Sequence, residues 1–150
     1  NIGKRLVIFR TGIVLSNEGG AYAEFKKPLR FGVASVLGSG KQIVSWIHID
    51  DMVKLYNDAI ANENWNGIYN AVAPEPVSNE VLIKTIAKQR GGFYITTKVP
   101  EIALKTALGE MSVEVLKSTT VSAAKIEDAG YTFLFPHIGP AVFNLIKKAS

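Results

Sequence analysis

The chain contains no cysteine. Disulfides, thiolate metal sites and cysteine nucleophiles are therefore excluded, nothing requires an oxidising compartment, and a cytoplasmic location is expected. Histidine is nearly as scarce: His48 and His137 stand far apart, without the H-x-H or H-x-x-x-H spacing of a metal site, so no metal is expected. No apolar run approaches the roughly 18–20 residues that span a bilayer, which argues against a membrane partner. G-x-G-x-x-G is missing, and with it the Gly-rich cradle that holds a dinucleotide pyrophosphate. The opening residues Asn1-Ile2-Gly3-Lys4-Arg5 lack a signal-peptide layout and an initiator Met. A chain that opens this abruptly before an apolar strand is expected to be an excised or processed piece.

What is present is apolar. Hydrophobic residues make up 47% of 150 and mean hydropathy is +0.16, high for a chain of one-domain size. Either the core is generous, or an apolar face waits for a missing segment. The net charge of +4 is scattered. Its densest groups, Lys26, Lys27 and Arg30, then Lys147 and Lys148, do not interleave with aromatics, so no nucleic-acid partner is expected.

Leu6-Val7-Ile8-Phe9 is a continuous apolar run, as in a parallel strand covered on both faces, and Ile13-Val14-Leu15 resumes it after Thr11-Gly12. Tyr22, Phe25 and Leu29 suit one side of a short helix that Pro28 kinks or ends. Residues 41–47 read as a strand. Asp50 or Asp51 then caps a helix over 51–61, with Met52, Leu55, Tyr56, Ala59 and Ile60 as one buried stripe. Residues 67–72 read as a buried strand, Ser78 as the N-cap of a helix to about Lys88, and Gly91-Gly92 as its stop. An edge strand over 93–98 follows, then a helix from Pro100 to near Gly109, and further turns at 110–117 and 122–129, the latter capped by Ser122. The last helix carries Ile138, Ala141, Val142, Leu145 and Ile146 on one face. Alternating strands and helices give an α/β class with a helix-rich C-terminal lobe. Two or three strands cannot complete a doubly wound sheet, so the sheet is half supplied.

Several chemical motifs fail on inspection. Gly38-Ser39-Gly40-Lys41 is not a P-loop, because Ser35 stands where its first Gly belongs and Gln42 where Ser or Thr must follow the Lys. Tyr22…Lys26 and Tyr94…Lys98 match the Tyr-x-x-x-Lys spacing of a proton-transfer pair, but with five Tyr in a lysine-rich chain such spacing arises readily by chance, and Tyr94 is strand-borne. Ser45, His48 and Asp50 make a triad only on paper, since no nucleophile elbow supports it. His48 either packs beneath the strand or borders a pocket.

Three ordered segments carry a resemblance. Gly38-Ser39-Gly40-Lys41-Gln42-Ile43-Val44-Ser45-Trp46-Ile47-His48-Ile49-Asp50-Asp51 resembles the G-x-G-x-Q-x-R-D-W/F-I/V-H/Y-V-D/E-D segment in the C-terminal half of extended short-chain dehydrogenase/reductases of the nucleotide-sugar epimerase group. Arg10-Thr11-Gly12-Ile13-Val14-Leu15-Ser16 resembles their R-P-G-N-V-Y-G segment. Tyr69 through Ser78 resembles their Y-N-x-x-x-x-E-P-V-S. With Leu108-Gly109-Glu110-Met111 and Ala129-Gly130-Tyr131-Thr132-Phe133, the chain is most similar to epimerase-like proteins related to human short-chain dehydrogenase family 39U.

The resemblance implies the C-terminal part of a Rossmann-type fold. Residues 1–35 and 50–72 would complete the sheet, and 36–49 and 73–150 would form the substrate-side lobe. It places Thr11, Gly12 and Ile13 near the nicotinamide end of NAD or NADP in the full-length protein, and Gln42, Val44, Trp46 and His48 around a small-molecule substrate. Catalytic residues and the pyrophosphate cradle would lie in an N-terminal half, so the isolated chain is expected to be inactive and free of cofactor. Ile13 replaces the sugar-facing Asn, Val44 the phosphate-pairing Arg and Ser45 its neighbouring Asp, which removes a charge-assisted fork and disfavours a nucleotide-sugar substrate. The alternative is a non-enzymatic interaction or regulatory module on the same fold.

Overall fold

A computed structural model describes residues 4–108 and 117–149. The helical turns expected at 110–117, and the Gly109-Glu110-Met111 part of the tail motif, fall almost wholly outside them. The described elements are β1 (Val7–Thr11), β2 (Ile13–Leu15), α1 (Gly20–Leu29), β3 (Val33–Leu37), β4 (Ile43–Val44), β5 (Trp46–His48), α2 (Ile49–Ala61), β6 (Gly67–Ala71), β7 (Val77–Ser78), α3 (Asn79–Arg90), β8 (Ile95–Val99), α4 (Glu101–Leu108), α5 (Ala124–Asp128) and α6 (Ile138–Ala149).

The strands form four two-stranded ladders. β1 runs parallel to β6 with Thr11 opposite Ala71, β2 parallel to β5 with Leu15 opposite His48, and β3 parallel to β8. β4 pairs antiparallel with β7. Parallel neighbours joined through helices identify an α/β architecture. At Gly12 the first strand changes partner: Gly12 N–H donates to the Ala71 carbonyl, and Ile13 N–H to the Ser45 carbonyl. A Cβ at Gly12 would stand 2.5 Å from that carbonyl oxygen and 2.7 Å from Val72 Cγ1, so only glycine allows the crossing.

Two cores flank this crossing. One gathers Leu15, Tyr22, Leu29, Val36 and Trp46 with Leu82, Ile83 and Ile86 of α3 and Ala141, Val142 and Leu145 of α6. The other gathers Ile47, Met52, Leu55 and Ala59 with Trp65, Tyr69, Ile126, Tyr131 and Phe133. Among the described residues no helix is long and apolar enough to cross a membrane.

The structure corrects several expectations. The strand foreseen over 41–47 breaks at Ser45, whose side chain binds another segment. Tyr56 and Ile60 do not join the buried stripe of α2: they are 51% and 74% exposed, and with Val53 they form a second apolar face that the described chain leaves open. β1 is likewise not covered on both faces, since Leu6 and Ile8 are exposed. α5 is shorter than foreseen, and Ser122 binds Ala124 N–H instead of capping a long helix.

Neither Asp50 nor Asp51 is the N-cap of α2. That role falls to His48, whose Nδ1 accepts from Asp50 N–H at 3.0 Å, because the extended backbone of His48 aims the ring back over the free first-turn N–H groups.

Candidate functional site

Several polar groups of the 38–51 segment are turned inward. Gln42 is buried and donates from Nε2 to the Leu37 carbonyl, closing the turn above it. Three N–H groups of that turn are occupied: Gly38 donates to the Val99 carbonyl, Gly40 to the Leu37 carbonyl, and Lys41 to the Ser39 hydroxyl. Gly38–Lys41 thus has no free row of donors for phosphate. Trp46 is fully buried, and its indole N–H donates to the Glu75 carbonyl, fixing the loop behind β6.

His48 is fully buried under Phe135, with ring centroids 4.1 Å apart. Because Nδ1 accepts, the proton of the neutral ring sits on Nε2. That Nε2 and Asn144 Oδ1 are both buried without a partner at hydrogen-bonding geometry, although the Asn144 amide lies near enough to favour the charged ring slightly. Burial dominates and holds the pKa of His48 below the ordinary histidine value, against the opposing pull of Asp50 at 3.7 Å. The ring is a neutral structural cap at neutral pH.

Asp51 is also fully buried. Its Oδ1 accepts from the Tyr131 hydroxyl at 2.9 Å and from Leu134 N–H at 2.7 Å, and its Oδ2 from Phe135 N–H at 2.9 Å. The second Asp of the motif therefore ties the start of α2 to the segment before α6. Asp50 points outward to Lys148 of α6 at 2.7 Å.

Lys26 lies over the Tyr22 ring, 4.7 Å from its centroid, but the Tyr22 hydroxyl is buried without a partner and its pKa is pushed up to about 12 by desolvation. A proton-transfer tyrosine needs the opposite shift.

One open cleft lies at the carboxyl ends of β1 and β6, where open α/β sheets take ligands, and at the amino ends of β2 and β5. One part, about 300 Å³, is lined by Thr11, Gly12, Ile13, Ile43, Val44, Ser45, Lys117, Thr119 and Val121. An adjoining part, about 390 Å³, lies between Arg10, Thr11, Gly12, Asn70, Val72 and residues 120–122. The structure brings Thr11, Gly12, Ile13 and Val44 to one wall and sets Gln42, Trp46 and His48 in the core behind it. Ser45, within the Gln42–His48 stretch expected at the pocket border, lines the cleft too; Lys117 and residues 119–122 also line it, and sequence reasoning missed those. The hydroxyl-rich run Ser118-Thr119-Thr120-Val121-Ser122, between two helical patterns, was the available signal. Among the described residues no group of His, Asp and Glu could hold a metal ion.

Comparison with known proteins fits this architecture. Residues 99–145 match the family described as a domain of unknown function (DUF1731). An epimerase family protein of Staphylococcus aureus is 38% identical over 147 residues, which cover 98% of this chain and 49% of that protein. The human epimerase family protein SDR39U1 (isoform 2), solved with NADPH, superposes with a TM-score of 0.92 at 27% identity, over 98% of this chain and 50% of the human one. A nucleoside-diphosphate sugar epimerase from Corynebacterium glutamicum superposes with a TM-score of 0.70 at 33% identity, over 96% of this chain and 26% of that one. The chain thus spans about half the length of the curated relatives it matches. It belongs to the epimerase family of extended short-chain dehydrogenase/reductases and corresponds to the C-terminal portion of their Rossmann-type fold.

Proposed function

We propose that this chain is the substrate-facing half of an NAD(P)-dependent oxidoreductase or epimerase, completed by an N-terminal half like that of its relatives. The observation that carries the reading is the cleft at the strand ends, walled by Thr11, Gly12, Ile13 and Val44. Thr11, Gly12 and Ile13 would border the nicotinamide, which supplies or accepts a hydride when bound. The cleft is roomy enough for a flat ring, but the chain offers no cradle for the pyrophosphate, so the other half would hold it. Residues 1–35 and 50–72 would extend that half's sheet, and 36–49 and 73–150 would shape the substrate side. Gln42, Trp46 and His48 would act from behind, by holding the wall in place.

Ile13, Ile43 and Val44 make the substrate side apolar, and Lys117 is the one cation among the residues lining that part of the cleft. A small, weakly charged carbonyl or alcohol suits it better than a nucleotide sugar, whose diphosphate would lose a charge-assisted fork. A cytoplasmic location, with which a cysteine-free chain is compatible, completes the reading.

Calorimetric titration of NADPH into the longer protein and into the isolated 150 residues tests this reading. The longer protein should bind with micromolar or better affinity and the isolated chain only weakly. Tight binding by the isolated chain would overturn the two-half division. No binding by the longer protein would leave the non-enzymatic interaction module in its place.

A further inference from the structure

Residues 117–122 belong to no helix or strand, yet they are tied down at regular intervals. Ile43 N–H donates to Ser118 Oγ at 2.9 Å, and Thr119 N–H donates to the Ile43 carbonyl at 3.3 Å. Ser45 Oγ donates to the Thr119 carbonyl at 2.8 Å and accepts from Val121 N–H at 3.0 Å. Asn70 Nδ2 donates to the Ser122 carbonyl at 3.2 Å. The segment is an extended strap laid across the ends of β4 and β6.

An extended chain alternates its side chains, and this strap does so. Lys117 and Thr119 face the part of the cleft shared with Ile13 and Val44, Thr120 and Ser122 face the part shared with Arg10 and Asn70, and Val121 borders both. A slip of one residue would exchange the two faces, so the register decides what each part of the cleft presents. One buried hydroxyl grips the strap from both sides of Thr120. That hydroxyl is Ser45, at the break between β4 and β5.

We propose that the strap formed by residues 117–122 is the specificity-determining wall of the cleft, and that Ser45 is the positioning residue that sets its register. The inference rests on the cleft being the cofactor and substrate site. Thr119 and Lys117 then supply the polar contacts to a ligand whose other side meets Ile13 and Val44. Ser45 borders the cleft, but its hydroxyl is taken up by the strap, which is where it acts.

The test uses the longer protein, unmodified and as Ser45→Ala, Ser45→Thr and Thr119→Val. Hydrogen exchange without ligand should speed up about tenfold or more at the Thr119 and Val121 amides in Ser45→Ala, as for a lost pair of ordinary hydrogen bonds, and stay near the unmodified rate at α3. Ser45→Thr, which keeps the hydroxyl, should restore protection. NADPH oxidation with a panel of unphosphorylated aldehydes and ketones should show KM raised several-fold by Ser45→Ala and by Thr119→Val with kcat little changed, and only Ser45→Ala should also loosen the strap. Unchanged exchange in Ser45→Ala would overturn the positioning role. Faster exchange with unchanged KM, or Thr119→Val indistinguishable from the unmodified protein, would overturn the specificity role. An unmodified protein that neither binds NADPH nor turns over any substrate would sink the functional reading itself, and the specificity role with it.

Discussion

Asp50 and Asp51 are neighbours with different duties, and burial separates them. Asp51 is fully buried and accepts three hydrogen bonds, two of them from the backbone N–H groups of Leu134 and Phe135. Replacing it with Ala should orphan those donors, at about 1–3 kcal/mol for each that finds no other partner. Asp50 makes a partly exposed ion pair with Lys148, which salt and side-chain entropy weaken. Asp50→Ala should cost at most about 1 kcal/mol. Urea denaturation of both variants decides the matter, and an Asp50 variant as damaged as the Asp51 variant would refute the division. Tyr131 belongs to the same network: burial, then its bond to Asp51, raises its pKa, so its hydroxyl stays a donor through the physiological range.

The start of α2 makes an element respond to pH. His48 caps the helix only while Nδ1 is unprotonated, and burial lowers its pKa below the ordinary value of about 6.5. Between the two values the unfolded chain binds the proton more readily than the folded one, so stability rises with pH there. This contribution is fully present above about pH 6.5 and is lost as pH falls through the lowered native value. His48→Asn keeps a capping acceptor without the titration, so its melting temperature should vary less between pH 7.5 and 5. An equal slope in both proteins would remove His48 as the cause. At the β1–β2 crossing the effect is steric: Gly12→Ala should destabilise by about 1–3 kcal/mol or more, because the Ser45 carbonyl cannot retreat without breaking its bond to Ile13. Thermal melts that match the unmodified chain would show that the crossing relaxes freely. These elements also show what the sequence could reveal. The helices at 49–61, 79–90 and 138–149 were legible because apolar spacing and stop signals are local. β3 and β7 were not foreseen, since a five-residue and a two-residue strand exist only through their partners. The cap was misassigned because acidic residues are good caps in general, and nothing local says that Asp51 is wanted by Tyr131, 80 residues away. The strap was missed because its ties to Ile43 and Ser45 are equally distant.

Among the described residues, apolar surface is left uncovered, in keeping with one of the two readings that composition left open. Val53, Tyr56 and Ile60 form an open face on α2, the Tyr56 ring lies 5.1 Å from that of Phe9 on β1, and Leu6, Ile8 and Ile68 are exposed on the neighbouring strand pair. The face is continuous with the β1–β6 ladder, the part of the sheet that the proposed N-terminal half would extend. Fully burying a large apolar side chain contributes about 1.5–3 kcal/mol, so two of them are worth more than tenfold in association. The isolated chain should therefore self-associate at rising concentration, seen by light scattering, and the separately produced N-terminal half of the longer protein should suppress this by docking. The double change Tyr56→Glu with Ile60→Lys should reduce the self-association and weaken docking more than tenfold, leaving the α2 core of Met52, Leu55 and Ala59 intact. If the double variant docks as tightly as the unmodified chain, this face is not where the two halves meet.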